Sequence, residues 1–379
     1  MNIEKIRENF PVTKKMIYFN HAAVAPLPLS TSAKVEKFLK DYTTNGCLNY
    51  PEWIKVQEET RALAARLVTG NPEEISLVKN TSTGISIVAQ GIKWQKGDNV
   101  IIPEGEFPAN AYPWFNLKDK GVEVRIVKER DKRFHIEDFE ALIDKRTRLM
   151  SVSWVEFATG FMNDLVALGK LCRNHDIYFC VDAIQGLGIF EIDVKKCNID
   201  FLAADGHKWL LAPEGIGILY VSKRVIDEVH PTFVGWHSVD DASDYLPYHF
   251  DKMRKDAKKF EEGSPNLLGT FALNESLRLL LDTGIKPVGE RILQLTDMLA
   301  GGLEDLGYKI LSPRGEGEKS GILIFSSGNP EKDARLFDYL SGKNVFAAPR
   351  GGGIRFSPHF YNSEEEVRTV LDLISKSNL

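Results

Sequence analysis
The chain has 379 residues, 43% of them apolar and 27% charged, with a formal net charge of −5. That length exceeds one ordinary core, since single cores stop growing at roughly 250–300 residues, and it predicts two domains. The balance is that of a soluble globular protein, with no global charge to favour nucleic acid and no apolar run reaching the roughly 18 residues of a membrane-spanning helix.

The first ten residues, MNIEKIRENF, mix both charge signs without an apolar stretch, so no secretory leader is expected. From about residue 74, short β-branched or aromatic runs alternate with longer amphipathic ones. The runs are EISLVKN (74–80), NVIIP (99–103), VEVRIVK (122–128), RLMSVSWV (148–155), IYFCVDA (177–183), FLAADGH (201–207) and GILYVSK (217–223). Stretches such as LVALGKLCRNHD (165–176) between them read as helices. This alternation predicts an α/β fold, a mainly parallel seven-stranded sheet between helices, with ligands bound beyond the carboxyl ends of the strands. Residues 225–265, rich in Pro, Gly, Asp, His and Trp, read as irregular. Helices then follow at 267–282 and 286–305, strands at 321–327 and 353–359, and a last helix at 363–376, which together suggest a smaller α+β C-terminal domain. The expected division is a large domain over 16–265 and a small one over 266–379 joined by 1–15.

Four places carry chemistry. Asp182 and Lys208 close two of the predicted strands, so both should emerge at the same edge of the sheet, facing one crevice. An acid and a partly desolvated lysine in one crevice suit pyridoxal 5'-phosphate (PLP). The lysine holds the aldehyde as an imine, and the acid keeps the ring nitrogen protonated. Thr81-Ser82-Thr83 ends a strand and opens a helix, where hydroxyls and free N–H groups can take a phosphate. Phe107, in Glu106-Phe107-Pro108, sits where it could stack on a flat ring. Arg350 and Arg355 flank a Gly run, and the fork of Arg355 could clamp a carboxylate. The cysteines Cys47, Cys172, Cys180 and Cys197 lack CxxC spacing, so neither a metal site nor a disulfide framework is expected, and a reducing, cytoplasmic setting is.

Taken in order, these residues resemble the class V aminotransferase family of PLP enzymes, with the aspartate-aminotransferase-like fold type I. The resemblance runs from Tyr18-Phe19-Asn20-His21 to Tyr361-Asn362. It implies that Lys208 carries PLP, Asp182 pairs with the pyridinium nitrogen and Gln185 contacts the ring's phenolic oxygen. Thr81, Ser82, Thr83 and His207 would hold the phosphate, and Phe107 would stack on the ring. Ser264, in Gly263-Ser264-Pro265-Asn266, looks like the segment that reaches a neighbouring subunit's phosphate, which implies a homodimer with shared sites. Arg355, with Asn20 and His21, would bind an amino acid substrate.

The chain departs from the cysteine desulfurase branch. That branch has a histidine where Phe107 stands, and a cysteine-bearing loop where Arg350 and Arg355 are only five residues apart. An Asn of that branch aligns with Trp154, and a phosphate-side Ser with Asp205. Other runs are similar to isopenicillin-N-epimerase-like proteins and to kynureninase. The expected function is a PLP-dependent transferase acting at the α-carbon of an amino acid, with transamination, epimerisation or elimination left open. The alternatives are a cysteine desulfurase or C–S lyase and, from another class, a non-catalytic binding protein that keeps the fold. A second acid or base is left open among His21, His237 and His359.

Overall fold
The computed structural model describes residues 1–240, 246, 248 and 250–377. A short strand β1 (Ile17–Tyr18) precedes the main sheet. That sheet comprises β2 (Ile75–Val78), β3 (Asn99–Pro103), β4 (Glu123–Val127), β5 (Thr147–Ser153), β6 (Tyr178–Asp182), β7 (Phe201–Asp205) and β8 (Gly217–Val221). The spatial order is β2-β8-β7-β6-β5-β3-β4. Strands β3 to β7 pair in parallel, and β8 runs antiparallel to both β7 and β2. This is the mainly parallel seven-stranded sheet that the seven β-rich runs predict.

Its central strands are apolar on both faces because both faces are covered. In β6, Tyr178 and Cys180 join one core with Ile85 and Val88 of the helix Thr81–Gly91. Phe179 and Val181 join the opposite core with Leu165 and Leu168 of the helix Leu165–Asn174. That second helix starts where it does because the Asp164 side chain accepts the N–H groups of Val166 and Ala167. Leu63 and Leu67, with Leu273, Leu277 and Leu280 of the helix Leu267–Thr283, complete the same face.

The C-terminal part has its own sheet and core. Strands β9 (Lys309–Ile310), β10 (Leu323–Ser326), β11 (Val345–Phe346), β12 (Ala348–Arg350) and β13 (Gly353–Phe356) follow in sequence. Four of them form an antiparallel sheet in the order β12-β13-β10-β9. Leu323, Phe325, Ile354 and Phe356 pack there against Leu336, Val367 and Val370. The helix Ile285–Asp305 touches both cores: Val288 and Ile292 lie in the first, Leu295, Leu299 and Leu303 in the second. β1 pairs in parallel with β11, and Asn20 bridges Ser357, so the N-terminal segment runs along the small sheet before reaching the large one. Within 225–265, short 3-10 turns stand where irregular chain is expected. No helix among the described residues is long and apolar enough to cross a membrane.

Candidate active site
The carboxyl ends of β2, β3, β5, β6 and β7 share one edge of the sheet, and the polar residues that follow them meet there. A cavity of about 360 Å³ opens at this edge, lined among others by Thr81, Ser82, Phe107, Asp182, Gln185, His207, Lys208, Arg350 and Arg355. Its size is that of a small-molecule site.

Lys208 follows β7 after a tight turn. The turn needs Gly206, because a Cβ there would lie 2.9 Å from both the Ala212 Cβ and the Ile216 carbonyl oxygen. Lys208 is only 8% exposed, and its Nζ stands 5.6 Å from the centre of the Phe107 ring. Burial pulls its ammonium down to about 8; Arg355 and Arg350 act in the same direction, while Asp182 and Asp205 oppose them. The neutral amine is thus accessible near pH 8, as a nucleophile or base requires. Asp182 is buried at the end of β6, where its Oδ1 accepts the Ile184 N–H at 3.0 Å. Burial raises its carboxyl to about 6 and the Lys208 charge works against that rise, so a cation beside it would restore the carboxylate.

Gln185 is held at both ends of its amide. Its Oε1 accepts the Trp209 indole N–H at 2.9 Å, and its Nε2 donates to the Ala22 carbonyl at 3.0 Å, leaving one N–H for the cavity. At the helix start, Asn80 caps both the N–H and the hydroxyl of Thr83. That turns Thr83 away from the cavity, while Thr81 and Ser82 line it. The Thr81 hydroxyl accepts the Asp205 N–H at 2.9 Å and keeps its own hydrogen to donate. The Asp205 Oδ2 lies 3.0 Å from the His207 Nδ1, an ion-pair distance, yet neither His207 Nδ1 nor Asp205 Oδ1 makes an aligned hydrogen bond. The contact holds the His207 ring beside Thr81 and Ser82 in the cavity wall.

Arg355 is 3% exposed on β13; it donates to the Asn20 Oδ1 at 3.3 Å, and its buried Nε has no partner. Burial and the neighbouring Arg350 lower it to about 10.

Not every residue expected from the sequence lines this cavity. Asn20 acts on Arg355 from behind. His21 is fully buried, with Nδ1 2.9 Å from the Ser357 carbonyl and Nε2 2.7 Å from the Tyr361 hydroxyl, and burial drives it down to about 3. It is a neutral packing group. His359 is likewise buried and held well below its ordinary range by burial. His237 lines a different cavity, beside Arg61 and Trp236. Ser264 and Thr83 line another cavity of about 620 Å³ that flanks the same helix start. Trp154 packs its ring on Gly186 and lines a separate cavity.

Sequence reasoning passed over Phe157, which lines the cavity and meets Phe107 edge-on at 5.2 Å. It also passed over a buried pair of acids behind the site. Glu106 accepts both the N–H and the hydroxyl of Ser153 at 2.6 Å. The Asn163 amide joins the Ser153 carbonyl to Glu156. Burial, with Asp182 adding, raises Glu106 to about 8, and burial with Glu106 holds Glu156 well above its ordinary range. Because Glu106 keeps its proton better folded than unfolded, its contribution to stability is present below 4.5 and is lost as pH rises toward about 8. Glu106→Gln should therefore flatten the loss of stability between pH 5 and 8.5, by on the order of 4 kcal/mol. Urea melts at the two pH values test this, and parallel losses in variant and wild type would refute it.

A family model described as aminotransferase class-V matches residues 17–370. A protein of Methanothermobacter thermautotrophicus named as a probable cysteine desulfurase is 30% identical, over 98% of this chain and 96% of its own length. The apo structure of a cysteine desulfurase from Thermococcus onnurineus superposes with a TM-score of 0.89 at 26% identity, over 99% of this chain and 97% of that one. A cystine C–S lyase solved with its product cysteine persulfide shares the fold, with a TM-score of 0.88 at 22% identity, over 97% of this chain and 99% of that one.

Proposed function
The chain belongs to the class V aminotransferase family of PLP enzymes, and from that premise we propose that it cleaves a carbon–sulfur bond in a cysteine-type amino acid without using a thiol of its own. The cavity fits the cofactor. It offers an anion cradle at Thr81, Ser82 and His207, an aromatic wall at Phe107, a carboxylate at Asp182 and an amine at Lys208. The buried Arg355 Nε left without a partner at its wall is of the kind an anionic ligand satisfies.

The observation that carries the reading is the absence of a thiol from that wall. Cys172, Cys180 and Cys197 are buried, with burial pushing each thiol upward, and the exposed Cys47 lines no part of the cavity. A desulfurase of the usual kind needs a thiolate to accept the sulfur. The similarity to proteins named for cysteine desulfuration supports a sulfur-bearing substrate, and the missing thiol favours elimination. Transamination, the leading expectation from sequence, has less support than this alternative.

When bound, the cofactor draws off electrons released at the substrate's α-carbon. Asp182 would hold the proton on its ring nitrogen. Phe107 would supply an aromatic wall for the ring, and Gln185 would offer it the N–H left free by Trp209 and Ala22. Arg355, steadied by Asn20, clamps the α-carboxylate and fixes which bond faces the Lys208 amine. That amine takes the α-proton, and the sulfur departs from the β-carbon with its bonding electrons and a proton. The remaining fragment hydrolyses to a 2-oxo acid and ammonia.

The same reading takes 16–265 as the cofactor-holding domain and 266–379 with 1–15 as the smaller one. It also places a second copy of the chain across the helix start, presenting Ser264 to the phosphate end, in a cytoplasmic homodimer.

The test is to supply L-cystine to the holoenzyme and follow pyruvate, ammonia and persulfide. Cys47→Ser and iodoacetamide-treated enzyme should keep turnover within about twofold of wild type. Loss of turnover in either would mean that a thiol takes part. Products formed only when a 2-oxo acid acceptor is added would mean transamination.

A further inference from the structure
We propose that Arg350 reads a second anionic group at the far end of the substrate's side chain, so that the substrate is a cysteine derivative whose sulfur carries an acidic terminus. This rests on the function proposed above and narrows its substrate class.

The cavity holds two guanidinium groups that the chain does not neutralise. Among the described residues Arg350 forms no ion pair, and Arg355 has only the neutral Asn20 as a side-chain partner. Other arginines differ: Arg61, Arg133 and Arg224 each sit on a carboxylate at 2.6–2.7 Å. The two acids in the cavity wall face other groups, Asp205 the His207 ring and Asp182 the Ile184 N–H and the Lys208 charge. One substrate α-carboxylate satisfies one guanidinium fork. The phosphate cradle lies at the helix start, on other residues. A cationic group is therefore left over on the substrate side.

The backbone that carries the exposed Arg350 side chain is held in place. Arg350 ends β12 and pairs with Gly353 across a two-residue turn, Gly351-Gly352, both with positive φ. A Cβ on Gly351 would lie 2.2 Å from the Ala158 carbonyl oxygen, so the turn is pressed against the loop that carries Phe157. Phe157 in turn packs on Phe107. The exposed Arg350 guanidinium thus lines the same cavity as two aromatic rings, Phe107 and Phe157. That suits a short apolar linker ending in a carboxylate.

The experiment uses two ligands of equal shape, S-carboxymethyl-L-cysteine and its neutral amide, S-carbamoylmethyl-L-cysteine. Dissociation constants come from calorimetric titration of the holoenzyme, and 2-oxo acid release is assayed separately. Wild type should bind the acid about tenfold or more tighter than the amide. Arg350→Gln should erase that preference by weakening the acid alone, Arg350→Lys should keep part of it, and Arg355→Lys should weaken both ligands. Equal affinity for both ligands in wild type would overturn the proposal, leaving Arg350 a solvated surface cation. Equal weakening of both by Arg350→Gln would also overturn it, since both arginines would then share the α-carboxylate. If neither ligand yields a 2-oxo acid while the preference and its loss persist, the carbon–sulfur reaction fails and the inference about Arg350 stands.

Discussion

Replacing Lys208 with alanine is expected to lower turnover by on the order of 10⁴-fold or more, with the fold intact. On the function proposed above, the side chain would do two things: hold the cofactor covalently and move the α-proton. Proton transfer by a placed side chain contributes about 10²–10⁴-fold by itself, and losing the covalent anchor adds to that. The fold should survive because the neighbours of Lys208 are packed independently of it. Trp209, Leu210 and Leu211 are fully buried, and Gly206 closes the turn. The check has a readout besides turnover. Borohydride treatment of wild type should leave the cofactor's mass on the peptide containing residue 208, and the variant should carry none. A mass adduct on another lysine, with turnover preserved, would show that Lys208 is not the anchor.

The second large effect is expected from Asp182→Asn: turnover lower by about 10²–10³-fold, the range typical for removing a preorganised charge from a buried site. Asparagine keeps the shape and can still accept the Ile184 N–H, so the change isolates charge from packing. It can no longer hold a proton on the ring nitrogen by attraction. The cofactor should dialyse out faster, and the substrate's α-deuterium should exchange with solvent more slowly. Exchange at the wild-type rate would remove Asp182 from the electron-withdrawing role.

The parts of the site that sequence made legible are those that end apolar runs. Asp182 closes YFCVD and Lys208 follows FLAADGH, so strand ends located them. Residues placed by resemblance along one segment fared differently, because backbone geometry separates neighbours. In extended chain consecutive side chains point to opposite sides. Asn20 therefore reaches Arg355, while His21 turns into Ser357 and Tyr361. At the helix start, Thr83 is drawn back by Asn80, away from Thr81 and Ser82. Phe157 and the seating of Arg350 depend on which loop the Gly351 turn touches, a contact of high sequence separation that no local pattern encodes. The expected boundary at 265/266 followed composition. The passage of helix 285–305 from one core to the other is invisible in sequence because its apolar periodicity is continuous.

The strand at 17–18 pairs with β11 in a two-stranded sheet and Asn20 bridges Ser357, while Arg350 and Arg355 ride on the four-stranded sheet. Lys208, Asp182 and Thr81 all belong to the large one. On the function proposed above, grip on the substrate and grip on the cofactor would thus ride on different sheets, like the two jaws of a vice. Any tilt of one sheet against the other would open or shut the substrate side while leaving the chemical floor undisturbed.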